Sequence, residues 1–192
     1  MTDSLLPISK VANTGAEKRA ISYASTIFNL FDNVLSTKQP ADRVIANYFR
    51  EHKKHGSKDR RVIRESLFGL FRWWGWIQQL GNHKQEEIFF SMLASAAQLE
   101  NHPWIDIRDG WLAFSMQYDA AKPLPITVSE SVNDKLNTFQ QFSNIHTATV
   151  EQLLPDWFWQ HCIIESELEK QLLVQAMSSR PPIWARAQQA SR

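Results

Sequence analysis

Seven lysines and arginines fall within the fifteen residues from Arg50 to Arg64, REHKKHGSKDRRVIR, against two acidic residues. A cluster of that density suits the neutralisation of a polyanion, such as the backbone of a nucleic acid. Arg50, Lys53 and Lys54 stand at i, i+3 and i+4, a spacing that shares one face at a helix end. Gly56 and Ser57 then turn the chain into another helix, whose start offers unpaired N–H groups and a positive dipole end to an anion. Lys58, Arg60, Arg61 and Arg64 surround that start. Lysines at a helix C-terminus need no ligand, since the dipole favours them there. Arg60 and Arg61 sit at the disfavoured end, where Asp59 can offset one of them through an ion pair.

Other chemistries find less support. His52 and His55 have a spacing a metal could use, but they lie among cations that would repel one. His83, His102, His146 and His161 stand apart from one another. Cys162 follows His161, yet adjacent helical residues point in different directions and no third group is evident. The glycines form neither a dinucleotide fingerprint nor a phosphate loop, so no nucleotide or methyl-donor cradle is visible. Eight tryptophans invite a base-stacking reading. Helical spacing, however, places Trp74 on a core stripe and sets Trp104 and Trp111 seven apart, as core residues are. Trp73 and Trp76 flank the stripe and are the candidates for exposure.

The elements that must carry these residues read as helices. Thr14 and Glu17 make a capping-box pattern. Behind it, Ile21, Ala24, Phe28, Phe31 and Leu35 form one stripe, and Tyr23, Ile27, Leu30 and Val34 a second, so this helix is expected to be central and largely buried. Pro40 suits the start of a second helix, which buries Val44, Ile45, Tyr48 and Phe49 and ends near His55. A third, capped by Ser57, carries Ile63, Leu67, Leu70, Trp74 and Ile77 and stops at Gly81-Asn82. Further helices are expected over about 85–99, 104–118 and 128–142, the last behind a Thr127/Glu130 capping box, with Pro123 and Pro125 breaking the chain before it. Pro155 can start a helix carrying Trp157, Phe158 and Ile163, and 165–177 reads as another. Arg180-Pro181-Pro182 stops helix formation, and Ile183 to Ala187 reads as the start of a strand. A lone strand cannot pair with itself, so a cut just inside a second domain is expected.

The 192 residues, 43% hydrophobic and 21% charged, fit a globular chain. The net charge is only +1; outside the basic segment, acidic residues outnumber basic ones. One cysteine excludes an internal disulfide framework and a cysteine-rich zinc site. No apolar run approaches the eighteen or so residues of a membrane span, and the N-terminus lacks the pattern of a signal peptide. A cytoplasmic location without a membrane partner is expected.

Several stretches together resemble a known family. Ala41-Asp42-Arg43-Val44, Tyr48-Phe49-Arg50, Gly56-Ser57-Lys58-Asp59-Arg60-Arg61 and Gly69-Leu70-Phe71-Arg72-Trp73 are similar to the N-terminal helical domain of the Sun-type RNA cytosine-5 methyltransferases. Leu154-Pro155-Asp156-Trp157 and Arg180-Pro181-Pro182-Ile183-Trp184-Ala185-Arg186 fit the same family in order and spacing. The resemblance implies an all-α bundle like that of the antitermination factor NusB over 1–145, and the incomplete start of an α+β linking domain over 146–192. It implies RNA, ribosomal RNA above all, as partner. It also implies a Rossmann-like catalytic domain beyond this chain that uses S-adenosylmethionine and a pair of cysteines. The chain itself is expected to need no cofactor and to carry no catalytic residue; Cys162 lacks the neighbouring Thr or Pro of the family's cysteines. The candidate RNA-binding residues are Arg50, Lys53, Lys54, Lys58, Arg60, Arg61, Arg64 and Arg72. A protein-interaction module is the alternative, since NusB-like bundles can dock partners through helical faces.

Overall fold

A computed structural model describes residues 11–115 and 127–179, and every regular element among them is helical. The expected breaks at Pro123 and Pro125, the last residues of the 104–118 helix and the strand at 183–187 lie outside the described residues.

Helix α1 (Gly15–Thr37) starts where the capping box places it, with Thr14 Oγ1 accepting from the Glu17 N–H and Glu17 accepting from the Thr14 N–H. Its two stripes merge into one buried face through Tyr23, Ala24, Ile27, Phe28, Leu30 and Phe31, while Ile21 is half-buried and Leu35 exposed. The most enclosed helix is α5 (Glu86–Leu99), in which every residue from Ile88 to Leu99 is buried. Small side chains explain this: Ala94, Ala96 and Ala97 let neighbours approach, while Ser91 and Ser95 donate to carbonyls one turn back. Helices α1, α3 (Ser57–Arg72), α6 (Ile105–Ala113) and α7 (Val132–Ser143) all pack on it. Gly110 of α6 lies so close to α1 that an added Cβ would meet the Ala20 Cβ at 2.8 Å. Trp111 Nε1 donates to the Ala20 carbonyl at 2.8 Å in the same crossing.

The third helix is shorter than its sequence pattern predicts. It ends at Arg72, and after Trp73 a four-residue helix, α4 (Trp74–Ile77), runs into a 3-10 turn over Gln78–Leu80. The break changes the helical phase and reverses the expected burial of three tryptophans. Trp73 and Trp76 are fully enclosed, and Trp74 is half-buried beside Phe31 and His83. Each buried indole finds an acceptor far away in sequence, Glu100 Oε1 for Trp73 and the Thr149 carbonyl for Trp76, both at 2.7 Å.

Helix α7 also departs from the expected capping. It begins at Val132 behind Ser131, and Glu130 instead accepts from Asn101 Nδ2 and from the buried Lys135. The Lys135 ammonium lies 5.2 Å from the Trp73 ring centroid, so its charge rests between a carboxylate and an aromatic face. Beyond α7, a 3-10 turn (Val150–Leu153), α8 (Asp156–His161) and α9 (Glu167–Ser178) follow. Val150 is buried, and Val174 of α9 is fully enclosed. Gln175 hydrogen-bonds the Val132 N–H and the Glu130 carbonyl, fixing α9 on the start of α7.

A candidate polyanion-binding corner

Helix α2 (Ala41–Glu51) ends four residues before His55, so Lys53 and Lys54 lie in a turn beyond it and do not continue the helical face of Arg50. The reason lies at His52. Its backbone N–H and its ring Nδ1–H both reach the Tyr48 carbonyl, at 2.9 and 3.0 Å, and its backbone leaves helical geometry at φ −106°, ψ 77°. The imidazole stacks on the Tyr48 ring with centroids 4.2 Å apart and planes inclined by 15°. Tyr48 Oη shares a hydrogen bond with His55 Nε2 at 3.1 Å. Burial, with the charge of Lys54 behind it, lowers the His55 pKa and favours the neutral ring.

Helix α3 starts behind this turn. Asp59 does not pair with either neighbouring arginine, as the sequence had suggested for one of them. Its Oδ2 accepts from the Gly56 N–H at 3.1 Å, and its Oδ1 accepts from the Tyr23 hydroxyl at 2.6 Å. The Tyr23 bond is the main reason its carboxyl is held below the ordinary range, against the opposing effect of burial. A charged carboxylate therefore already occupies the first turn of α3, where the dipole favours it.

The eight candidate residues separate into two groups. Arg50, Lys53, Lys54, Lys58 and Arg64 are exposed and make no ion pair among the described residues. Arg50, Lys53, Lys54 and Lys58 belong to one turn and the helix ends beside it, while Arg64 stands about two helical turns further along α3. The other three are engaged within the protein. Arg60 donates from Nε to the His55 carbonyl at 2.9 Å, with its guanidinium 5.5 Å from the Phe49 ring centroid. It clamps the turn. Arg61 pairs with Glu65 at 2.9 Å across one helical turn and is still largely exposed. These contacts account for two arginines at a helix N-terminus without a ligand. Arg72 lies at the far end of α3, about 24 Å away along sixteen residues. There it binds the buried Glu100 carboxylate at 2.6 Å, which also accepts from Trp73.

The remaining histidines and the cysteine have local partners. His83 sits 3.4 Å from Asp32, His146 bonds Asn144, and His161 bonds the Trp157 carbonyl. His102 is buried against Trp104. Cys162 is half-buried beside Trp159 and Ile164. No group of three metal-ligating side chains occurs among the described residues. A cavity of about 270 Å³ between α7 and α9 is lined by Trp73, Glu100, Lys135 and Gln175, and the polar atoms of these residues are paired with one another or with nearby groups. No helix among the described residues is long and apolar enough to cross a membrane.

Sequence reasoning missed His52 and Tyr48 as parts of this corner. The signal was available, since aromatic rings at i and i+4 meet on one helix face. No protein family, no curated protein and no solved structure matches this chain.

Proposed function

We propose that this chain is a NusB-like, RNA-binding helical domain, cytoplasmic, that positions ribosomal RNA for an S-adenosylmethionine-dependent RNA cytosine-5 methyltransferase domain outside it. One observation carries the reading. Arg50, Lys53, Lys54 and Lys58 share one exposed corner, Arg64 is exposed about two helical turns along α3, and none of the five has an ion-pair partner among the described residues. Four like charges around one turn repel one another, and phosphates relieve that repulsion with release of counterions. The ordered series of motifs resembling the Sun-type enzymes supports RNA as the polyanion.

The test replaces Lys53, Lys54 and Arg64 with Gln and titrates a structured ribosomal RNA fragment against wild type and variant. Binding should weaken to a similar degree across RNA sequences, because phosphate contacts position without specifying. Unchanged affinity in a folded variant would contradict the reading. On the same reading the chain alone binds no S-adenosylmethionine, and a saturable calorimetric isotherm with that cofactor would argue against it.

A second reading, docking of a protein partner, is favoured by a different surface. Trp157, Ile163, Leu168, Leu172 and Met177 are large apolar residues exposed on and between α8 and α9. Apolar exposure concentrated in this way marks protein contacts more often than nucleic-acid contacts.

A further inference from the structure

Aromatic rings beside exposed cations are the usual means of holding unpaired bases. Among the described residues the tryptophans do not supply one at the basic corner. Trp73, Trp76 and Trp111 are enclosed, Trp74 is half-buried among rings, and the exposed Trp157 belongs to α8. Phe49 is buried beneath Arg60. One ring at the corner is exposed: His52.

Its geometry is that of a fixed plate. One face lies on Tyr48 at 4.2 Å, and Nδ1–H is committed to the Tyr48 carbonyl at 3.0 Å. These two contacts restrain the ring before any ligand arrives, so little side-chain freedom remains to be lost on binding. The commitment of Nδ1 leaves Nε2 as the second polar atom, an acceptor in the neutral ring. No other aromatic ring covers His52 among the described residues. Arg50 precedes it by two residues, and Lys53 and Lys54 follow directly, all exposed.

We propose that His52, backed by Tyr48, is a stacking platform for a single unpaired nucleobase whose flanking phosphates meet Arg50, Lys53 and Lys54. This rests on the RNA-binding reading and narrows it. The corner takes a loop, bulge or strand end and discriminates against continuous duplex, in which no base face is free to stack.

The test uses a hairpin RNA carrying 2-aminopurine in its loop and a fully paired RNA duplex with the same number of phosphates. Both are titrated by fluorescence against the wild-type chain, His52→Ala and His52→Phe. The wild type should prefer the hairpin and quench the 2-aminopurine. His52→Ala should lose about fivefold or more of hairpin affinity together with the quenching, and leave duplex affinity and the salt dependence unchanged. His52→Phe keeps a ring at the position and should restore both losses, which a damaged turn would not allow. Equal loss for hairpin and duplex in His52→Ala, or no loss, would overturn the platform while leaving the phosphate contacts standing. Binding of neither RNA by the wild type would remove the RNA-binding reading and the platform with it.

Discussion

The Tyr23 hydroxyl donates to Asp59 Oδ1 at 2.6 Å, joining the middle of α1 to the first turn of α3. The same carboxylate holds the Gly56 N–H, so one side chain sets both the helix start and its distance from α1. The Tyr23→Phe variant should cost about 1–2 kcal/mol in denaturant unfolding, as for a partly buried hydrogen bond to a charged group. The pH dependence has a definite sign. Burial and the bond to Asp59 push the Tyr23 pKa from 10.0 to about 12, so the folded state keeps the proton more firmly. That stabilisation is complete below pH 10.0 and is lost as the pH rises towards about 12. Asp59, lowered in the folded state, contributes above its ordinary pKa of 3.8 and loses its contribution as the pH falls through the depressed value. In Tyr23→Phe both pH-dependent losses should shrink. A variant whose stability–pH curve parallels that of wild type would contradict this account.

Arg72 should separate from the other cations by experiment. Its guanidinium neutralises a Glu100 carboxylate whose side chain is only 5% exposed. Arg72→Gln should therefore destabilise the fold by about 2–4 kcal/mol, because it leaves a buried charge with less compensation. RNA affinity per folded molecule should stay as in wild type. A stable Arg72→Gln protein with weakened RNA binding would return Arg72 to the binding surface.

Gly75 marks the closest approach between α4 and the segment following α7. A Cβ there would stand 1.7 Å from the Gln152 carbonyl oxygen, a backbone atom that cannot rotate away. Gly75→Ala should cost about 1–3 kcal/mol or more by overpacking, although alanine favours helix. A neutral or stabilising effect in thermal unfolding would show that residues 150–153 do not pack against α4.

How far these features could be read from sequence depends on how local their causes are. The start of α1 was legible because Thr14 and Glu17 cap it within three residues. The cores of α1 and α3 were legible from Phe28, Phe31 and Leu67, all buried on a single helical period. Trp73 and Trp76 were not, because their burial follows from a break after Arg72 and from acceptors at Glu100 and Thr149. The Thr127/Glu130 pattern failed for a similar reason, since Asn101 and Lys135 occupy the Glu130 carboxylate. At the corner, sequence located the cations but not their division into free and engaged. Arg60 is held by the His55 carbonyl and Phe49, contacts that exist only once the turn has formed.

The central claim is that the free cations of the corner contact phosphates, and the salt slope of RNA binding tests it most directly. Each phosphate contact contributes roughly 0.7–0.9 to the slope of log affinity against log salt concentration. The affinity of wild type and of the Lys53→Gln, Lys54→Gln, Arg64→Gln triple variant is to be measured over a series of salt concentrations, with helical content checked in parallel. The account predicts a slope shallower by roughly 2–3 in the variant, with the fold intact. An identical slope in a folded variant would contradict it and place any RNA contact elsewhere on the molecule.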